Sequence, residues 1–178
     1  FQKALSNFIE LQDTFYIASC YCNLGFMSSY GADQAKGLNY FLEAMKIADA
    51  IQDSGLISDI STNIGYYYDR VGDDKTALRY YQKSLDLTLG LNDSITLALC
   101  YTNMSSMNYK VKNYSLAYEQ LALAKKMLSE SHLKKDIAYL YSCIAECHIE
   151  MNQIDSSQKY VNKTVELMKE IEYPILQA

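Results

Sequence analysis

The sequence predicts an all-α solenoid: antiparallel helix pairs stacked into a right-handed superhelix of about four and a half repeats. Three observations carry this. The 178 residues are 49% apolar but include only seven Gly and one Pro, Pro174. A β-sandwich or barrel needs a turn signal every ~8 to 12 residues, so the composition argues against one. The triplets Asn23-Leu24-Gly25, Asn63-Ile64-Gly65 and Asn103-Met104-Ser105 recur at a spacing of 40. Between them the apolar residues follow a helical period. Met104, Met107 and Val111 fall at i, i+3, i+7, and Leu116, Leu121, Leu123, Met127 and Leu128 continue a broad stripe.

Sliding the chain by 40 gives the units in order. Residues 1–17 are the second helix of a truncated repeat. Residues 18–57, 58–97 and 98–137 are repeats one to three, and 138–178 are repeat four with the start of a further helix, all in one solenoid domain. Each unit reads as two helices of roughly 16 to 18 residues. Gly37, Ala77, Ala117 and Ser157 share a small column, and Phe41, Tyr81, Leu121 and Val161 share a large one four residues on. Ala44, Ser84, Ala124 and Thr164 form a second small column, and Phe1 and Ala4 continue the register. Small residues are required where two helices cross closely enough for their backbones to approach. Asp33, Gly72-Asp73-Asp74, Asn113 and Asn152 separate the two helices of a unit, and Asp53-Ser54 and Asp93-Ser94 separate units. These types cap the following helix by accepting from its orphan N–H groups. Pro174 suits the first turn of another helix.

Charge and cysteine usage narrow the function class. Sixteen basic and 21 acidic residues leave a net charge of −5 with no long basic run, which argues against nucleic acid or an anionic membrane as main partner. Five Cys, an odd number, give no disulfide framework, so reduced thiols and a cytoplasmic location are expected. The uncharged stretch from Thr14 to Ala32 has the length of a membrane span, but its Ser, Asn and Tyr content and its place in the repeat make it a core helix. The chain opens at Phe1 without a basic n-region, so an excised piece of a longer protein is expected, with any signal or anchor to be sought outside it. Seventeen of the 22 aromatic residues are Tyr and none is Trp, and a phenol can be half buried with its hydroxyl wet.

The repeat columns carry a family likeness. Repeat two has Ser61, Ile64-Gly65, Tyr68, Ala77, Tyr81 and Ser84, and repeat one has Tyr21, Leu24-Gly25, Ser28, Gly37, Phe41 and Ala44. Repeat three has Tyr101, Met104, Ser105, Asn108, Ala117, Leu121 and Ala124, and repeat four has Tyr141, Ile144-Ala145, His148, Ser157, Val161 and Thr164. This register resembles the tetratricopeptide repeat, whose usual unit is about 34 residues. The longer unit is similar to those of bacterial regulators, such as peptide-sensing phosphatase and transcription-factor families and activator sensor domains, and of kinesin light chains. The resemblance implies a sensory or scaffolding role without catalysis.

In such superhelices the first helix of each pair lines the concave wall. The candidate partner-binding residues are therefore Asn23, Phe26 and Tyr30, then Asn63, Tyr66 and Arg70, then Asn103, Tyr109 and Lys110, and finally Tyr139. Cys22, Asp59, Ser106, Ser142, Glu146 and Glu150 fall on the same wall. The repeated Asn either offers donor and acceptor to an extended peptide or links neighbouring first helices. With Tyr faces, Arg70 and Lys110, the wall suits a peptide of acidic or C-terminal character. The Lys/Arg carboxylate clamp of some relatives is absent, because the matching positions hold Cys22, Leu99 and Asn103.

No cofactor, metal or catalytic centre is expected. Cys143 and Cys147 are i, i+4 beside His148, but structural zinc needs four ligands and nothing brings His132 to them, so they read as core thiols. Cys20 and Cys100 share a column, which also favours packing. Neither His has a catalytic partner at a recognisable spacing, there is no Gly-rich phosphate loop, and Glu146 with Glu150 reads as a solvated stripe. The expected function is a protein- or peptide-binding module of a larger regulatory protein. The alternatives are a small-molecule or peptide sensor controlling an attached effector such as a DNA-binding domain, and a structural oligomerisation element.

Overall fold

The computed structural model describes residues 1–29, 34–91, 93–128 and 133–172. Among these, nine helices and no strand are found. They are α1 (Gln2–Glu10), α2 (Thr14–Ser29), α3 (Gln34–Ile51), α4 (Ser54–Arg70), α5 (Asp74–Thr88), α6 (Ser94–Lys110), α7 (Tyr114–Leu128), α8 (Lys134–Glu150) and α9 (Ile154–Glu172). Two compact units divide them, Phe1–Asn92 with α1 to α5 and Asp93–Ala178 with α6 to α9. Each is a stack of antiparallel pairs, α2/α3 and α4/α5 in the first and α6/α7 and α8/α9 in the second, so the chain is an all-α solenoid. First helices begin at Thr14, Ser54, Ser94 and Lys134, 40 residues apart. The divisions at 18, 58, 98 and 138 thus fall one turn inside α2, α4, α6 and α8. Asp33 and Pro174 lie outside the described residues.

Five connections share one backbone solution. Gln12, Gln52, Gly72, Lys112 and Asn152 have φ of 55°, 55°, 83°, 61° and 57°, each closing the helix before it in the left-handed region. The following N–H then reaches back to the carbonyl five residues earlier, as from Asp53 to Ala48 (3.2 Å) and from Asp73 to Tyr68 (2.9 Å). That same residue opens the next helix. Asp13, Asp53 and Asp73 each turn a carboxylate oxygen to a backbone N–H three residues on, of Tyr16, Leu56 and Thr76. Asp93 caps α6 likewise, through the N–H groups of Ile95 and Thr96. Asn152 departs from the sequence expectation. It terminates α8, and Gln153 provides the carbonyl that begins α9, because Asn tolerates the left-handed conformation as readily as it caps.

In the α2/α3 and α4/α5 pairs a first-helix glycine sits under the large column of the second helix. A Cβ on Gly25 would lie 2.6 Å from the Phe41 ring, and one on Gly65 would lie 2.7 Å from Tyr81, so both positions need glycine for the rings to lie on the helix. At the same register the third pair has Ser105 with Leu121, both buried, so a larger first-helix residue accompanies a smaller second-helix one. The fourth has Ala145 with Val161, which is 40% exposed. Phe41, Tyr81 and Leu121 are fully buried, with Ile60, Ile64, Leu140 and Ile144 beside them in their own units. One turn away the pairs diverge in chemistry. Tyr68 stacks on Tyr80 (5.9 Å), Asn108 donates to Gln120 (2.8 Å), and His148 stacks on Tyr160 (5.6 Å). The α4/α5 interface also encloses hydroxyls, with Ser58 Oγ 2.9 Å from Ser84 Oγ and 2.7 Å from Thr88 Oγ1.

Two outcomes follow. Gly65→Ala should lower unfolding free energy by about 1–3 kcal/mol in urea melts, because the added methyl must displace the buried Tyr81 ring. Asp73 and Asp93 have carboxyls held below the usual range, first by hydrogen bonds from Thr76 and Thr96. A folded-state pKa below the unfolded value gives stability that is full above about pH 4 and lost as pH falls through the folded value. Asn at both positions keeps the cap acceptor, so the double variant should show a shallower acid limb in urea midpoints; an unchanged limb would remove the caps as its cause.

Candidate functional site

In the second unit, α6 and α8 run side by side and present residues spaced by one turn. Tyr139, Ser142, Cys143 and Glu146 on α8 face Ser105, Ser106 and Tyr109 on α6, with Cys147 and the α7 residue Leu121 completing a pocket of about 100 Å3. Tyr109 and Tyr139, both expected on this wall, are thus brought together, the first half-buried and the second 47% exposed. Ser105 donates to the Thr102 carbonyl (2.6 Å) and Ser142 to the Tyr139 carbonyl (2.7 Å), so their protons are committed to their own helices.

The pocket is electrostatically one-sided. Tyr109 donates to Glu150 Oε1 at 3.3 Å, and its phenol is pushed up to about 12, by burial first and then by the charges of Glu150 and Glu146. Tyr114 packs edge-on against Tyr109 at 5.4 Å, and its phenol is also raised, by burial and then by its hydrogen bond to Glu150. Glu146 is exposed, yet the neighbouring helix screens part of its carboxyl from water and raises it, and no donor or cation among the described residues reaches it. Burial lifts Cys143 to about 12 and Cys147 to about 11, with the Glu146 charge adding to both. Thiols of this kind stay protonated at neutral pH, without the electropositive surroundings that make a reactive thiolate. His148 is engaged elsewhere, through Gln153 Oε1 at 2.7 Å and the Tyr118 and Tyr160 rings. Among the described residues no group of three or more His, Cys, Asp or Glu could hold a metal ion; His132 lies outside them.

The remaining candidates are distributed differently. In the first unit, Asn23 donates to the Ser19 carbonyl (2.9 Å) within α2. Asn63 donates to the Asp59 carbonyl (3.0 Å) and to Cys22 Sγ (3.3 Å), tying α4 to α2. Burial raises the Cys22 thiol to about 11 while the Asn63 hydrogen bond acts the other way. The Arg70 guanidinium lies 5.9 Å from the centroid of the Tyr66 ring, and Phe26 is 41% exposed. Tyr30 lies outside the described residues. Asn103 is half-buried and Lys110 exposed on α6, and neither lines the pocket. Glu146 and Glu150 are both exposed on α8, as the solvated stripe read from the sequence requires. What the sequence does not show is that Tyr109, on the neighbouring helix, reaches Glu150.

No protein family's sequence profile matches the chain, and no curated protein matches it. Solved structures do match. BtubC (BKLC) from P. vanneervenii is similar at 14% identity and a TM-score of 0.73, over 90% of this chain and 66% of that one. A signal transduction ATPase with numerous domains carrying a tetratricopeptide repeat sensor, from Pyrococcus horikoshii, is similar at 17% identity and a TM-score of 0.71, over 90% of this chain and 25% of that one. MamA is similar at 12% identity and a TM-score of 0.58, over 99% and 93%. These likenesses are of fold: the chain is a tetratricopeptide-like helical repeat. It spans about two thirds of the first of these proteins and a quarter of the second.

The shared hydrogen bond at Glu150 is directly testable. Removing a neighbouring negative charge lowers a phenol pKa, so Glu150→Gln should bring the Tyr109 titration down from about 12, read by NMR of ring-labelled Tyr.

Proposed function

We propose that this chain is a non-catalytic module that binds a protein or peptide segment on its first-helix face. It would form the sensory or scaffolding part of a larger regulatory protein of bacterial type, working in the cytoplasm. The observation that carries this is the α6/α8 pocket, where Tyr139 stands 47% exposed at the mouth and Tyr109 is half-buried in the wall. Tyr supplies large contact area with a polar end at low entropic cost, which is why it concentrates at binding surfaces. A volume of about 100 Å3 is below the roughly 300 Å3 at which small-molecule sites begin, so it suits a side chain of a larger partner. The protonated thiols support a role other than nucleophilic catalysis, and five free cysteines suit a reducing compartment. Among the described residues no helix is long and apolar enough to cross a membrane.

A second reading, a sensor of a small ligand, is favoured by a cavity of about 320 Å3 lined by Tyr118, Ala122, Lys125, Lys126, Ile144 and Tyr160. Lys125 donates there to the Tyr160 hydroxyl at 2.9 Å.

Selection of a displayed random 12-residue peptide library on the 178-residue chain separates the two. Under the first reading it yields binders whose affinity falls at least tenfold, about 1.4 kcal/mol, with Tyr139→Ala, at unchanged Tm. No binder from the library, together with a Tm raised by small organic anions and not in Lys125→Met, would favour the second.

A further inference from the structure

We infer that the α6/α8 pocket takes a cationic side chain, the guanidinium or ammonium head of an Arg or Lys projected from the bound segment. This rests on the module reading and adds the chemistry of what the pocket holds.

Three features point the same way. The first is charge. Glu146 lines the pocket, Glu150 stands one turn further along α8, and no Lys or Arg is among the lining residues. Glu146 is exposed at the pocket's edge, and no hydrogen-bond donor among the described residues meets it. Such a carboxylate attracts an incoming cation, whereas an anion in the same place would meet repulsion. The second is the aromatic wall. Elsewhere the chain covers its Tyr rings with its own cations, as Lys36 does over Tyr40, Arg79 over Tyr80 and Lys163 over Tyr141. Among the described residues no cation covers the Tyr109 ring, and its hydroxyl is turned to Glu150, so its neighbourhood is negative and aromatic together. That combination attracts a cation through both charge and ring quadrupole. The third is size. About 100 Å3 admits a few waters or one side-chain head and excludes a nucleotide or an organic cofactor.

The peptide selection tests this without presupposing the ligand. Binders to the wild-type chain should be enriched in Arg or Lys at one position. Their affinity should fall at least tenfold toward Glu146→Gln and decline with added NaCl. Glu146 is exposed and meets no donor among the described residues, so Glu146→Gln should leave Tm level. Replacing the enriched Arg by citrulline, of similar shape and no charge, should give a comparable loss with the protein untouched. Binders that lack Lys and Arg, or that tolerate both citrulline and Glu146→Gln, overturn the inference and leave the module reading standing. A library that gives no binder overturns both.

Discussion

Everything in each helix pair depends on one close crossing, in which a large side chain from the second helix lies flat on a position of the first that has almost no side chain. Gly25 under Phe41 and Gly65 under Tyr81 show it in its tightest form. The crossing fixes the rotation of the first helix, and rotation decides which residues turn outward. In the third repeat the same crossing is made by Ser105 and Leu121, and both line the pocket. The packing contact that holds the pair is therefore also the floor of the candidate site, so stability and recognition are mechanically joined there.

The polar interior obeys the same economy of space. Ser58, Ser84 and Thr88 are fully buried, and a buried hydroxyl without a partner would cost on the order of 1–3 kcal/mol. They satisfy one another across α4 and α5, with Thr62 joining through Ser84 at 2.7 Å. Ser61 Oγ has no partner, at a position where the other repeats carry Tyr21, Tyr101 and Tyr141. Losing that ring coincides with Tyr80 stacking on Tyr68, while in the fourth repeat Tyr160 packs against Tyr141 as well as His148.

The parts legible in the sequence were those set by short-range rules. The 40-residue period, the helical pairing and the caps at Asp53, Asp73 and Asp93 follow from spacing and cap chemistry, and the structure has them. Asn152 was ambiguous because its side chain suits either end of a helix. The Asn23 and Asn63 amides looked outward because pattern reading assigns a face, yet a carbonyl four residues back on the same helix competes for the donor. Arg70 and Lys110 drew attention to cations, whereas the α6/α8 pocket has one carboxylate, Glu146, and no cation in its lining. The raised phenol of Tyr109 is not encoded locally, since it arises from α8 bringing Glu150 and Glu146 against α6. The excess of Tyr resolves along the same line. Tyr68, Tyr80, Tyr141 and Tyr160 pack helix on helix, and at the pocket Tyr109 ties α6 to α8 while Tyr139 stands exposed.

The turns have a consequence for how such a chain changes over time. One residue ends a helix with its N–H and begins the next with its carbonyl, and at Asp13, Asp53 and Asp73 with its carboxylate too. A connection in which a single residue belongs to both neighbours has no slack. Adding or deleting one position at these five turns would leave one helix without its stop or the other without its start. Length variation is therefore disfavoured there, and whole repeats are the units most readily copied or lost. A lineage of this fold would grow by duplication while its recognition faces diversify by point substitution alone.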